Sequence, residues 1–163
     1  EASRKEGGGS KDVDVARGKQ QEKRILQRYT LATMYYSLNG DQWNNCPSEW
    51  RFEESSEIGE CKEEEEEGGG GSAVRFLDAR HECEWFGIEC DLDGIETTGA
   101  LDVNAYLPVT NISLPSNNLQ GELPIEFYEA FELLQVWNME DNDLRGTLSQ
   151  DVGNLGQLEV LKL

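Results

Sequence analysis

Basic residues are scarce in this chain of 163 residues. Lys and Arg number 14 against 33 Asp and Glu, His81 is the one histidine, and the formal net charge is −19. Binding to nucleic acid needs clustered Lys and Arg to neutralise phosphates, so nucleic acid is not an expected partner. An anionic membrane surface is disfavoured for the same reason. Long apolar runs are also missing: none approaches the length of a membrane span, so membrane insertion by this segment is not expected. Hydrophobic residues make up 37% of the chain, below the usual globular share. The shortfall sits in the first third and in an acidic insert, and it implies a core smaller than the length suggests. No secretory leader is visible and the first residue is not Met.

The chemistry of catalysis is thinly supplied. A lone His81 close to Cys83 does not make a nucleophile–base pair with an orienting third group. No glycine-rich loop lies between a strand and a helix to cradle phosphate. Solvated carboxylates lack the burial that moves a pKa into a working range. The chain is therefore not expected to be an enzyme, and no cofactor or metal is implied. Four cysteines, Cys46, Cys61, Cys83 and Cys90, allow three disulfide connectivities. The competing zinc reading is poor, because close Cys-x-x-Cys pairs are missing.

What is present falls into three regions. Residues 1–18 are a charged lead-in with Gly7-Gly8-Gly9-Ser10, expected to be flexible. A cap region spans 19–108. It opens with a helical pattern over residues 20–38, in which Ile25, Tyr29, Ala32 and Tyr36 line one face, widened by Leu26, Leu31, Met34, Tyr35 and Leu38. Asn39-Gly40 supplies a left-handed stop. A Trp-rich irregular stretch with Trp43 and Trp50 follows, then an acidic, Gly-rich insert at about 62–72, where five adjacent carboxylates and four glycines predict a solvated loop.

The third region, 109–163, carries an internal period. Val109, Ile112, Leu114, Asn117, Leu119, Gly121, Leu123 and Pro124 superpose on Leu134, Trp137, Met139, Asn142, Leu144, Gly146, Leu148 and Ser149. Leu158, Leu161 and Leu163 begin the pattern a third time. Ile112 and Trp137 are 25 residues apart, and Trp137 and Leu161 are 24. Such a period predicts an α/β solenoid of stacked coils, each contributing a short strand to one parallel sheet and burying its apolar face on the next. The Asn after each strand pairs backbone groups that the turn would otherwise orphan. The predicted interior comprises Ile112, Leu114, Asn117, Leu119, Trp137, Met139, Asn142, Leu144, Leu161 and Leu163. The chain stops at Leu163 within the third unit, and the expectation is that it forms the N-terminal part of a longer protein, with two complete units and a third truncated.

On these motifs the chain resembles the plant-type leucine-rich-repeat family, with the unit L-x-x-L-x-L-x-x-N-x-L-x-G-x-I/L-P. Residues 31–43, Leu-Ala-Thr-Met-Tyr-Tyr-Ser-Leu-Asn-Gly-Asp-Gln-Trp, resemble the caps of algal and microbial members. Cys83-Glu-Trp-Phe-Gly-Ile-Glu-Cys90 is similar to the cap motif of that family, with Ile88 where Val is usual. The resemblance implies a right-handed coil with a concave parallel sheet and a helical, disulfide-bonded N-terminal cap. It implies a Cys83–Cys90 bond, which leaves Cys46 and Cys61 as the second pair. Disulfides imply the extracellular space or secretory pathway, including the ectodomain of a membrane protein. Members act as receptor ectodomains, peptide or steroid sensors and inhibitors of secreted enzymes.

The expected function is thus recognition of a protein or peptide through the concave sheet. The candidate contact residues are the outward positions: Asn111, Ser113, Pro115 and Ser116, then Val136, Asn138, Glu140 and Asp141, then Val160 and Lys162. The alternative is a structural or assembly role, in which further repeats or another chain cover the open edge at Leu158, Leu161 and Leu163. Asn111-Ile112-Ser113 is in addition an N-glycosylation sequon, with Asn111 on the presumed face.

Overall fold

Helix α1 (Gly9–Ser37) lacks proline, and about half of its residues are good helix formers such as Lys, Gln, Arg, Leu, Ala and Met. The computed structural model describes residues 9–45, 74–93 and 101–163, with side chains from residue 14 onward. The helix starts at Gly9 rather than near residue 20, so half of the expected flexible lead-in is helical. It ends as anticipated, with Asn39 left-handed at φ 58° and Leu38 N–H bonded back to Met34 C=O.

The buried face of α1 is the part of the expected stripe formed by Leu31, Met34, Tyr35 and Leu38, and not the line of Ile25, Tyr29 and Tyr36. Ile25, Tyr29 and Tyr36 are 57%, 57% and 69% exposed. The core takes Gln27, Thr30, Leu31, Met34, Tyr35 and Leu38. Both stripes obey the helical period, and they lie on opposite sides of the helix. Gln27 resolves the choice, because its amide is fully used. It donates to Leu107 C=O at 2.9 Å and to Glu82 at 3.2 Å, and accepts from Val109 N–H at 2.9 Å.

Six strands follow: β1 (Ile88–Cys90), β2 (Val109–Ser113), β3 (Gln120–Gly121), β4 (Val136–Asn138), β5 (Asp143–Leu144) and β6 (Val160–Lys162), with the short helix α2 (Phe127–Ala130) before β4. They make a four-stranded sheet in the order β1-β2-β4-β6 and a two-stranded sheet β3-β5. β1 runs antiparallel to β2, whereas β2, β4 and β6 are parallel. Gly87 permits the close approach of β1, since a Cβ there would lie 2.4 Å from Ser113 C=O and φ is +74°.

This arrangement corrects the expected solenoid. A solenoid sheet runs parallel throughout and each coil shares its interior only with its neighbours. Here the main sheet is mixed, a second sheet stands apart from it, and the described elements include two α-helices. One continuous apolar cluster extends from Leu31 and Tyr35 on α1, through Phe76, Trp85, Ile88 and Ile112, to Phe127, Phe131 and Trp137. The interior is that of a single α/β core, closed on one side by α1 and by residues 74–93.

The anticipated interior is also corrected at one end. Ile112, Leu114, Asn117, Leu119, Trp137 and Met139 are fully buried, and Asn142 and Leu144 are half-buried. Leu161 and Leu163 are 42% and 55% exposed. They lie on and just after β6, an edge strand with β4 as its one neighbour.

Asn142 joins the two parallel levels. Its Oδ1 accepts from Asn117 N–H at 3.0 Å and Leu119 N–H at 2.9 Å. Its Nδ2 donates to the carbonyls of Leu114, Met139 and Glu140 at 2.9, 2.9 and 3.1 Å. Asn142→Ala orphans these groups together, and an unfolding free-energy loss of about 2–3 kcal/mol is expected in urea titration. A loss below about 0.5 kcal/mol would show that water replaces the amide at no cost.

Cys83 and Cys90 form a disulfide with a Cα–Cα distance of 5.5 Å, tying the 3-10 turn Glu82–Glu84 to β1. Cys46, Cys61, Trp50 and the acidic insert at about 62–72 lie outside the described residues.

Candidate sheet-face binding site

Strand alternation sorts the main sheet into two faces. Ile112 and Trp137 point into the core, so their neighbours point away from it. Register then sets those neighbours in rows. Asn111 pairs with Val136 and Val136 with Val160; Ser113 pairs with Asn138 and Asn138 with Lys162. Six of the ten candidate contact residues therefore share one surface. The other four, Pro115, Ser116, Glu140 and Asp141, continue it beyond the strand ends. Ser116 and Asp141 both adopt positive φ, 50° and 58°, and their side chains meet at 3.5 Å.

The polar groups on this face hold one another in place. Asn138 Oδ1 accepts from Glu140 N–H at 3.2 Å. Lys162 Nζ lies 3.3 Å from Glu140 Oε2, an exposed ion pair that adds orientation more than stability. Asn111 Nδ2 donates to Glu89 Oε2 at 3.0 Å across the β1–β2 pair. The sequon amide is thus engaged by a carboxylate on the neighbouring strand. Glu89 extends the first row to β1, where it pairs with Asn111, and the sequence reading missed it. The signal was available: Ile88 is apolar and Cys90 is cross-linked, so the residue between them on a strand points outward.

Two other places carry polar or cavity features. Beneath the sheet, Glu82 is fully buried and accepts from Arg28 NH1 at 2.9 Å and from Gln27. Arg28 also donates to Asp78 C=O at 2.8 Å and Arg80 C=O at 2.9 Å, and its guanidinium lies 4.8 Å from the Trp85 ring centroid. Burial pushes the neighbouring Asp78 carboxyl up, but the Arg80 backbone N–H and guanidinium outweigh it and hold the group below its ordinary value. His81 Nδ1 accepts from Cys83 N–H at 3.2 Å, so its Nε2 carries the proton and donates to Ala105 C=O at 3.1 Å. This cluster fastens α1 to residues 74–93. At the β6 end, a groove of about 650 Å³ is lined about equally by apolar groups, among them Leu123, Ile125, Leu148 and Leu163, and by polar ones, among them Glu122, Asn142 and Arg145.

Among the described residues, no group of three or more His, Cys, Asp or Glu is placed to hold a metal ion, and no helix is long and apolar enough to cross a membrane. No protein-family model matches the chain, and comparison with curated proteins finds none that matches it. The disulfide is compatible with an extracellular location.

Proposed function

We propose that this chain is a recognition module that binds a protein or peptide on the outward face of the β1-β2-β4-β6 sheet. One observation carries the reading: strand register sets Glu89, Asn111, Val136 and Val160 in one row, and Ser113, Asn138 and Lys162 in a second. Side chains displayed on paired backbone lose little freedom when a partner binds, which lowers the cost of association. Their mixture of amide, hydroxyl, carboxylate and ammonium groups suits a polar peptide surface. It offers no nucleophile with an adjacent base for catalysis. The motif resemblance to leucine-rich-repeat proteins supports the same kind of display at the level of the strand pattern. The proposed setting is the extracellular space or secretory pathway.

The test is selection from a random-peptide display library against the intact, oxidised chain. Selected peptides are expected to lose at least about tenfold in affinity on Asn138→Arg or Glu89→Arg, equivalent to about 1.4 kcal/mol. They should be indifferent to Glu129→Ala on α2. Peptides that bind both sheet-face variants as tightly as the parent, or a library that yields no binder, would remove the proposal.

A further inference from the structure

Charge on the outward face of the main sheet is unevenly placed. Among the described residues that face carries the carboxylates of Glu89, Glu140 and Asp141 and the ammonium of Lys162. Lys162 lies 3.3 Å from Glu140 and is taken up by it. Glu89 and Asp141 are both exposed, and their described hydrogen-bond partners are neutral. The Asn111 amide donates to Glu89 Oε2 at 3.0 Å, and the Ser116 hydroxyl lies 3.5 Å from Asp141 Oδ2. These contacts orient the two carboxylates and leave their charge standing.

The two groups occupy opposite corners of the face. Glu89 is on β1, opposite Asn111. Asp141 follows β4, level with Ser116, whose N–H bonds Glu140 C=O at 3.0 Å. β4 is the second strand from β1, about 10 Å away at ordinary strand spacing. Along the strands, the step from Asn111 to Ser116 covers about 16 Å if extended, and less through the turn at Ser116. The diagonal is therefore about 15–20 Å, the span of about five or six extended residues. By register Ser113 lies between the two corners, with Asn138 beside it.

We infer that the peptide taken by this face is basic and extended, with Lys or Arg side chains about five or six residues apart, one meeting Glu89 and the other Asp141. The inference rests on the sheet-face reading above and adds the charge pattern of the partner. A segment laid across the face strips water from both carboxylates. A neutral segment returns nothing for that lost hydration, and an acidic one adds repulsion. A cation at each corner replaces the water with a charge-assisted hydrogen bond. Between the corners, the Ser113 hydroxyl and the Asn138 amide can each donate and accept, which suits the peptide groups of an extended backbone. The net charge of −19 acts in the same sense from a distance, drawing a basic peptide towards the chain and making its approach sensitive to salt.

The test sequences the peptides selected from the random library against the intact, oxidised chain and measures their affinities for four variants, each checked for fold by circular dichroism. Asn138→Trp blocks the middle of the face without altering charge, and it marks the peptides that bind there. Those peptides should be rich in Lys and Arg at the stated spacing. Glu89→Gln and Asp141→Asn should each weaken them by about threefold to tenfold, with near-additive losses in the double variant because the two groups are far apart. Both substitutions keep a hydrogen-bonding oxygen, and Asn tolerates the positive φ at position 141, so the fold should persist. Glu129→Gln removes the same charge from α2 and should change affinity by less than about twofold, since a remote exposed charge is screened. Neutral or acidic peptides that Asn138→Trp excludes would overturn this inference and leave the peptide-binding reading in place. A loss in Glu129→Gln equal to those at Glu89 and Asp141 would assign the preference to the overall charge of the chain and overturn it as well. Peptides indifferent to Asn138→Trp, or a library without binders, would remove both.

Discussion

Replacing Trp137 with alanine is expected to cost about 3–5 kcal/mol of unfolding free energy, measured as a shift in the urea midpoint. Trp137 is fully buried in the middle of the main sheet, paired in register with Ile112 on one side and Leu161 on the other. Its ring packs on Phe127 at 4.7 Å and Tyr128 at 6.2 Å. Phe127 in turn meets Phe131 at 5.0 Å, so the indole is the floor on which α2 rests. Alanine removes that floor and leaves a cavity that three large rings fill poorly. Trp137→Phe provides the contrast. The indole Nε1–H is buried and has no hydrogen-bond partner among the described residues. Phenylalanine loses volume but also relieves an unpaired donor, and the two terms oppose. A loss of about 1–2 kcal/mol is expected for Trp137→Phe, well under that of alanine. Equal losses for the two variants would mean that the indole N–H has a partner in solution.

The same residue shows how far sequence alone reaches. Ile112, Leu114, Trp137 and Met139 read as interior from apolar alternation and spacing, and all are buried. Spacing also set Ile112 opposite Trp137 and Trp137 opposite Leu161. The architecture built on that pattern was wrong, because a period specifies which residues are equivalent and not what lies beyond the first of them. What lies beyond is β1, which runs antiparallel to β2. Its three residues are held by a disulfide and by a glycine at positive φ, signals that say where the chain bends but not which way it returns.

The helix shows a different limit. Two stripes on α1 share one period, and apolar content joins Ile25, Tyr29 and Tyr36 to Leu31, Met34, Tyr35 and Leu38, of which the last four are buried. The deciding partners of Gln27 are Glu82, Leu107 and Val109, which lie 55 to 82 residues away in sequence. No local pattern contains them. The outward face of the sheet was legible because it follows from alternation once the inward residues are known. Glu89 escaped because β1 was read as part of a cysteine motif and not as a strand.

The second large effect is expected at the ion pair under that helix. Arg28→Met should destabilise the chain by about 3–5 kcal/mol, since it leaves a buried carboxylate without its counter-charge. Glu82 is fully buried, and besides Arg28 its described hydrogen-bond donor is Gln27, at 3.2 Å. The Arg28 side chain is 28% exposed, so solvent screens part of its charge but cannot follow it to Glu82. Methionine keeps the stem's packing against Trp85 and removes the cation–π contact along with the charge. It also strands the carbonyls of Asp78 and Arg80, which lie near the surface and can turn to water. These parts are separable. Glu82→Leu in the Arg28→Met background removes the stranded carboxylate, and the double variant should recover more than half of the loss. Recovery on that scale identifies the cost as an unpaired charge rather than a lost contact. If the double variant is instead no more stable than Arg28→Met alone, the arginine acts through its carbonyl bonds and its stacking on Trp85. The electrostatic account of how α1 is fastened to residues 74–93 then fails.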